Sequence, residues 1–171
     1  AIGQVASMIQ RAAASQKRLN EFLQTEPTIQ SPEAVGETTD LSGDIVFNNV
    51  SFTYTHTGIK AIKHFSLTIK KGEKILILGR TGSGKSTLAQ LLLRFYDADE
   101  GTITINGKDI RSIPLPHLRN GISYVPQDVF LFSETVKNNI GFGLASFSHE
   151  QVVQAAEKAS VDKEIEGFSA Q

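Results

Sequence analysis

Residues 79–86 read Gly79-Arg80-Thr81-Gly82-Ser83-Gly84-Lys85-Ser86 and match the spacing G-x-x-x-x-G-K-[ST] at every required position. The apolar run before them, residues 74–78, predicts a buried parallel strand. The run after them, residues 86–94, predicts a helix. A strand, a glycine-rich loop and a helix in this order are typical of a loop that binds phosphate groups.

The residue types of this loop suit the binding of a polyphosphate. Glycines let the backbone curl so that successive N–H groups point at phosphate oxygens, and the N-terminus of the following helix carries partial positive charge. Lys85 would add a charge for the β- and γ-phosphates, and the Ser86 hydroxyl can bind Mg²⁺. The alternative is a glycine-rich turn without a ligand, but such a turn would not need Lys85. The loop therefore predicts that the chain binds a nucleoside triphosphate.

The composition is that of an ordinary globular protein: 171 residues, of which 40% are hydrophobic and 20% charged. This length allows one domain with a substantial core. The net charge of −1 offers no basic surface for nucleic acid, and the lack of cysteine excludes disulfides and thiolate metal sites. No apolar run is long enough to cross a bilayer, and no secretory signal is visible. We expect a soluble segment that faces the cytosol.

The N-terminal residues predict an amphipathic helix from about residue 2 to about residue 24, with apolar side chains at three- and four-residue steps. Glu26-Pro27 ends it, because proline disfavours helix in the preceding residue. Residues 27–43 are polar and rich in Pro, Gly, Ser and Thr, which predicts a linker. The apolar stripe packs either on the chain's own core or on a partner helix. We expect poor packing on this chain for the stripe residues Val5, Ile9, Leu19 and Phe22.

Two runs on the N-terminal side of the loop, residues 44–54 and 61–70, predict strands. The second alternates polar and apolar residues, as a half-exposed antiparallel strand does. Tyr54 ends the first strand, where spacing alone favours a core or edge position over contact with a nucleobase.

On the C-terminal side, residues 102–105 predict a short strand that ends in an Asn106-Gly107 hairpin turn. Residues 122–125 predict another strand. The sequence Ser148-His149-Glu150-Gln151 has the spacing of a capping box, which predicts a helix from there to about Glu166.

These segments, in this order, resemble the nucleotide-binding domain of ABC transporters, specifically the exporter type. Phe52-Thr53-Tyr54 resembles the A-loop, whose aromatic residue stacks on adenine in that family, so the resemblance favours Tyr54 as an adenine contact. Residues 94–110 are similar to the stretch that follows the family's phosphate-loop helix. Residues 118–128 resemble the approach to the Q-loop, and by that match Gln127 is the glutamine that reaches Mg²⁺ and the attacking water.

The resemblance extends to both ends of the chain and implies a domain organisation. Residues 1–26 resemble the cytosolic extension of an exporter's membrane domain, and residues 27–43 the linker after it. Residues 44–171 are then the N-terminal part of an ATP-binding domain. Within it, residues 130–140 resemble the start of the helical subdomain, from about residue 128, which faces the membrane domain's coupling helices. This implies a location at the cytoplasmic face of the cell membrane.

The implied fold is α/β: a P-loop NTPase core with an antiparallel β subdomain and the start of a helical subdomain. The family's signature loop (LSGGQ), Walker B strand and switch histidine do not occur in these residues; Leu41-Ser42-Gly43 matches only the first three signature positions. In the family's sheet, the Walker B strand and the strand before the switch histidine lie between the phosphate-loop strand and the Gln127 strand. We therefore expect an incomplete sheet in which Leu76 and Leu78 lack flanking neighbours.

The resemblance implies ATP and Mg²⁺ as cofactors, with a transmembrane domain and a second nucleotide-binding domain as partners. The complete dimeric domain would hydrolyse ATP to drive export of a substrate. Lys85 and Gln127 would support catalysis, although no residue of this chain would be the catalytic base. The implied Mg²⁺ ligands are Ser86 and Gln127, and the implied ATP contacts are Tyr54, Gly79, Arg80, Thr81, Gly82, Ser83, Gly84, Lys85, Ser86 and Thr87.

Three other functions compete with this interpretation. The first is a P-loop GTPase or kinase; a GTPase needs a base-reading N-K-x-D, and the nearest string, Asn106-Gly107-Lys108-Asp109, has the wrong order and lies in a turn. A soluble ABC protein of translation or DNA repair would not be expected to carry the leading helix or residues 130–140. An ATP-binding or interaction module without hydrolysis of its own stays open, because the catalytic motifs are missing from this sequence.

Overall fold

The computed structural model describes residues 2–32, 40–128 and 130–168. The chain divides into two compact units, residues 1–123 and 124–171, which are described separately. The first unit contains α1 (Ile2–Leu23), β1 (Ile45–Tyr54), β2 (Ile59–Ile69), α2 (Lys85–Leu92), β3 (Glu100–Ile105), β4 (Lys108–Asp109), a 3-10 turn at Ile110–Ser112 and α3 (Leu115–Asn120). The second contains α4 (Val136–Gly141), α5 (His149–Lys158) and α6 (Asp162–Glu166).

The first unit is built on a four-stranded antiparallel sheet with the strand order β2-β1-β3-β4. Phe47 shows that β1 is central, since it pairs with Leu67 on one side and Ile103 on the other. β3 and β4 are joined by Asn106-Gly107, whose φ angles of 51° and 76° are those of the tightest hairpin turn. The predicted antiparallel strands and the hairpin turn are confirmed.

A bulge in β1 sets which side chains face the core. The register with both neighbouring strands shifts after Phe47, and Asn49 in the irregular stretch has a φ of 49°. An extra residue reverses the alternation of side chains, so Phe47 and Val50 are both buried. Beyond the bulge, Phe52 is buried and Tyr54 is half-buried on the same face. The bulge therefore directs the end of β1 toward the core.

The core lies between this sheet and α2. Val50 of β1 and Leu91 of α2 are fully buried, and Ile105 of β3 is 1% exposed. Burying such apolar side chains is the main favourable term in folding. The buried cluster comprises Phe47, Val50, Phe52, Ile62, Leu88, Leu91, Ile103, Ile105, Ile110, Ile113 and Leu118.

The predicted strands at residues 74–78 and 122–125 are wrong for this structure, since neither pairs with any described segment. Leu76 and Leu78 are 80% and 81% exposed, and Val125 is 90% exposed. A strand needs a partner strand for its N–H and C=O groups, and the sheet within the described residues contains neither of these two runs. The expectation that Leu76 and Leu78 lack flanking neighbours agrees with this exposure.

The predicted leading helix is present as α1, and its apolar stripe is not buried on this chain. Val5, Ile9, Leu19 and Phe22 are each more than half exposed. Of the helices in the described ranges, none combines the length and hydropathy that a membrane crossing requires.

In the predicted linker, residues 33–39 lie outside the described residues, and Leu41 packs against the core.

The second unit confirms the predicted capping box and corrects the helix that follows it. The Ser148 Oγ accepts from the Gln151 backbone N–H over 3.2 Å, and the Ser148 N–H donates to Gln151 Oε1 over 2.8 Å. The helix predicted to reach about Glu166 is instead two helices, α5 and α6. Ser160 separates them with a φ of 58°, a left-handed conformation that no helix continues through.

Candidate functional site

The loop of residues 79–84 runs directly into the first turn of α2. Gly84 precedes the helix with a φ of 87°, and the Ser83 N–H donates to the Arg80 carbonyl over 3.1 Å. Residues 79–83 are exposed, and the first turn of α2 carries no acidic residue. The free N–H groups and positive end of a helix favour an anion at this point.

Lys85 crosses this loop. Its Nζ donates to the Gly79 carbonyl and to the Arg80 carbonyl, each over 2.8 Å. A lysine ammonium has three donors, so one N–H is left after these two bonds. An anionic oxygen can take that donor while the two loop carbonyls keep theirs. The loop and its lysine are therefore arranged to hold a negatively charged group.

Gly84 fixes the loop against the sheet. A Cβ built at Gly84 would lie 2.5 Å from the Ala61 carbonyl oxygen and 2.8 Å from Ile62 Cδ1, both in β2. Only a residue without a side chain allows this approach and also adopts the positive φ at no steric cost. The start of α2 consequently lies directly on β2.

Tyr54 lies against α2 from the end of β1. Its hydroxyl donates to Gln90 Oε1 over 2.9 Å and lies 3.0 Å from Thr87 Oγ1. Its ring meets the rings of Phe52, Tyr96 and His56 edge to face, with centroids 4.9, 5.3 and 5.7 Å away. The structure therefore joins two of the predicted site residues, Tyr54 and Thr87, that stand 33 positions apart.

The other end of α2 is held by partly buried polar contacts. Arg94, 6% exposed, donates from Nε and Nη2 to the two carboxylate oxygens of Asp97 over 2.8 and 3.2 Å. Arg119 donates to the carbonyls of Leu93 and Arg94 over 3.1 and 2.9 Å. These bonds satisfy backbone oxygens that the end of a helix leaves unpaired. The helix that begins at the loop is thus anchored at both ends.

The predicted Mg²⁺ ligands are placed differently. Ser86 is exposed in the first turn of α2, next to Lys85. Gln127 is exposed in the second unit and is not among the residues that the first unit brings together.

Sequence reasoning missed Gln90. Its signal is its spacing from Thr87, since residues three apart on a helix share a face.

The chain matches the family model described as ABC transporter over residues 62–170. Among curated relatives, it is 42% identical over 165 residues to a probable multidrug resistance ABC transporter ATP-binding/permease protein of Bacillus subtilis, covering 96% of this chain and 28% of the relative. It is 40% identical over 156 residues to the ATP-dependent lipid A-core flippase of Escherichia coli K12, covering 91% and 26% of the two chains.

A solved structure gives the same result. The structure of a bacterial Atm1-family ABC exporter with ATP bound superimposes with a TM-score of 0.86 at 30% sequence identity. The match covers 98% of this chain and 30% of the exporter chain. The chain thus spans less than a third of the length of the proteins it matches.

Proposed function

The chain belongs to the ABC transporter family, as an ATP-binding component of the exporter type, and we propose that it binds Mg²⁺–ATP at residues 79–86. In this proposal residues 44–171 form the N-terminal part of a P-loop NTPase domain, with an antiparallel β subdomain and the helical subdomain from about residue 128. Residues 1–26 extend from a membrane domain, and residues 27–43 link the two. The complete dimeric domain hydrolyses ATP, and this drives export of a substrate across a membrane.

The observation that carries the proposal is the position of Lys85, whose ammonium lies on two loop carbonyls at the N-terminus of α2. The donor set fits ATP, because residues 79–86 bring together backbone N–H groups, the Lys85 ammonium and hydroxyl side chains, and residues 79–83 are exposed. We assign the phosphates to Gly79, Arg80, Thr81, Gly82, Ser83, Gly84, Lys85, Ser86 and Thr87.

We assign the adenine to Tyr54 and the Mg²⁺ to Ser86 and Gln127. Ser86 and Gln127 each offer a neutral oxygen ligand. A Mg²⁺ ion that is also bound to phosphates accepts such ligands. When bound, ATP supplies the transferable phosphoryl group, and the metal neutralises charge on it. Lys85 and the loop amides hold the phosphates in place, which is most of what the protein contributes to such a reaction.

Hydrolysis is assigned to the complete domain and binding to this chain. The signature loop, the glutamate after Walker B and the switch histidine do not occur among these 171 residues. This observation also favours the second candidate function, an ATP-binding or interaction module without hydrolysis of its own. The two candidate functions differ in one requirement: hydrolysis needs a general base in contact with the attacking water, and a binding module does not.

We propose a transmembrane domain and a second nucleotide-binding domain as partners, at the cytoplasmic face of the cell membrane. The relatives are ATP-binding/permease proteins and exporters, so a transmembrane partner is common to them. The exposed stripe of α1 supports such a partner, because its apolar side chains are each more than half exposed among the described residues.

Replacement of Lys85 tests the proposed function. Lys85→Ala removes a charge-assisted contact worth about 1.5–3 kcal/mol, which corresponds to a loss of about tenfold to a hundredfold in Mg²⁺–ATP affinity. Isothermal titration calorimetry on the purified protein measures this. Lys158→Ala, at the end of α5 in the second unit, is the matched control and should leave the affinity unchanged. An unaltered dissociation constant for Lys85→Ala would refute the assignment of the phosphates.

A further inference from the structure

Gln90 connects the helix of the phosphate loop to the end of β1. The Tyr54 hydroxyl lies 2.9 Å from Gln90 Oε1 and 3.0 Å from Thr87 Oγ1. A phenol has one proton and an amide oxygen only accepts, so the Tyr54 proton goes to Gln90. Thr87 must then be the donor in its bond to the Tyr54 oxygen. Two hydrogen bonds of defined direction therefore hold this hydroxyl.

The packing of α2 on the core does not explain why its residue 90 has a polar side chain bonded to Tyr54. Leu88 and Leu91 carry the contact of the helix with the core, whereas Gln90 is half-buried. The two ends of the helix are held separately, at Gly84 and by Arg119. The side chain of Gln90 accepts its hydrogen bond from Tyr54, outside the apolar core.

The hydroxyl bonds add a directed link to the Tyr54 ring, beyond its edge-to-face contacts with neighbouring rings. Tyr54 is the last residue of β1, and the turn after it, with the N–H groups of Thr57 and Gly58, bonds to its carbonyl. The ladder pairing that fixes side-chain directions ends at this residue. Its hydroxyl bonds instead tie the ring to the helix that begins at Lys85, so that ring and loop keep a constant spacing.

We propose that Gln90 is a positioning residue that holds the Tyr54 ring, through the tyrosine hydroxyl, for contact with the base of the nucleotide whose phosphates lie in the loop. This rests on the proposed function, in which Tyr54 contacts adenine. Pre-organising a binding group removes part of the ordering cost of the complex. Stacking alone would accept phenylalanine at position 54, because it uses the ring face and not the hydroxyl. Under this proposal the hydroxyl contributes as well.

The test compares a ligand that has a base with one that does not. Calorimetric titrations with Mg²⁺–ATP and with Mg²⁺–tripolyphosphate are carried out on the purified wild-type protein and on Gln90→Met, Tyr54→Phe and the double variant. Methionine keeps the length and helix propensity of glutamine without the acceptor. The ATP dissociation constant should rise about threefold to tenfold in each single variant, the size of a lost neutral hydrogen bond. The tripolyphosphate constant should not change.

The double variant and the control complete the design. If the two residues act through one bond, the double variant should bind ATP much as the weaker single variant does. Gln154→Met, an equivalent substitution on α5, should alter neither constant. Equal weakening of both ligands in Gln90→Met, or no change in ATP binding, would overturn the proposal. Because Lys85→Ala tests the phosphate site separately, a failure of Gln90→Met with a normal Lys85→Ala effect leaves the proposed function intact.

Discussion

The antiparallel sheet and the apolar run at residues 74–78 have similar side chains in opposite environments. Ile105 of β3 is 1% exposed, whereas Leu78, in an equally apolar run, is 81% exposed. β3 pairs along its length with β1, but residues 74–78 pair with no described segment. Hydrophobicity therefore makes a segment able to join a sheet, and a partner strand decides whether it does.

The two regions also differ in how their ends are held. The sheet pairs β1 with both β2 and β3, joins β3 to β4 through the Asn106-Gly107 turn, and packs against α2. Residues 74–78 are continuous with the phosphate loop, so the loop depends on α2 and on the Gly84 contact with β2 for its position. The site is anchored from its helix side in this structure.

A matched pair of leucine truncations gives the largest contrast between the two regions. Leu91→Ala removes a fully buried side chain from the core and should lower the free energy of unfolding by about 3–5 kcal/mol, through lost burial and the cavity left behind. Leu76→Ala removes an exposed side chain and should change it by less than about 0.5 kcal/mol. Urea unfolding followed by circular dichroism measures both.

The Leu76 result decides what the comparison means. A loss of more than about 2 kcal/mol for Leu76→Ala would show that a further segment or another chain covers residues 74–78 in solution. Residues 74–78 would then be buried in solution, as the core of the antiparallel sheet is. A small effect would keep the sheet as the stable part and the apolar run as an exposed one.

The sequence allowed correct prediction of the features that depend on near neighbours. The helix after Lys85, the antiparallel strands, the Asn106-Gly107 turn and the capping box at Ser148 all follow from local spacing. The break at Ser160 was missed, because neither Gly nor Pro marks it.

The errors and omissions in the prediction concern distant partners. The strands at residues 74–78 and 122–125 were inferred from composition, which contains no information about whether a partner is present. In the candidate site, the loop and Tyr54 were found by motif and resemblance. Gln90 was not found, because its contact with Tyr54 spans 36 positions and belongs to no sequence motif.

A pair of glycine substitutions tests how firmly the loop is anchored to the sheet, with an intermediate effect. Gly84→Ala places a Cβ against the Ala61 carbonyl at a φ of 87° and should cost about 2–4 kcal/mol of unfolding free energy. Gly82→Ala meets the same backbone strain at a φ of 81° but no atom within 4 Å, so it should cost only about 1–2 kcal/mol. Thermal and urea unfolding measure the difference. Equal costs would contradict the close contact between the loop and β2.

The smallest effect is expected at the polar edge of the paired sheet, where Asp109 ends β4. Arg111 donates to its carboxylate from the backbone N–H over 2.8 Å and from Nη2 over 2.7 Å. Partial burial raises the pKa of Asp109, but these Arg111 bonds lower it by more, so the net pKa lies below the ordinary value. The folded protein therefore holds the carboxylate more strongly in its charged form than the unfolded chain does.

The sign of the pH dependence follows from this lowered pKa. A depressed carboxyl pKa contributes stability that is complete above the unfolded value of about 4 and is lost as the pH falls through the folded value. At pH 7, Asp109→Asn should lower the unfolding free energy by less than about 1 kcal/mol, because the pair is partly exposed. The difference from wild type should shrink as the pH falls from about 5 to about 2. Arg111→Met should remove only a part of this pH dependence, since it deletes the side-chain donor but keeps the backbone N–H bond to Asp109. A wild-type and Asp109→Asn difference that stays constant between pH 7 and pH 2 would show that the carboxylate is not stabilised by Arg111, and that the edge of the sheet is held by its backbone pairing alone.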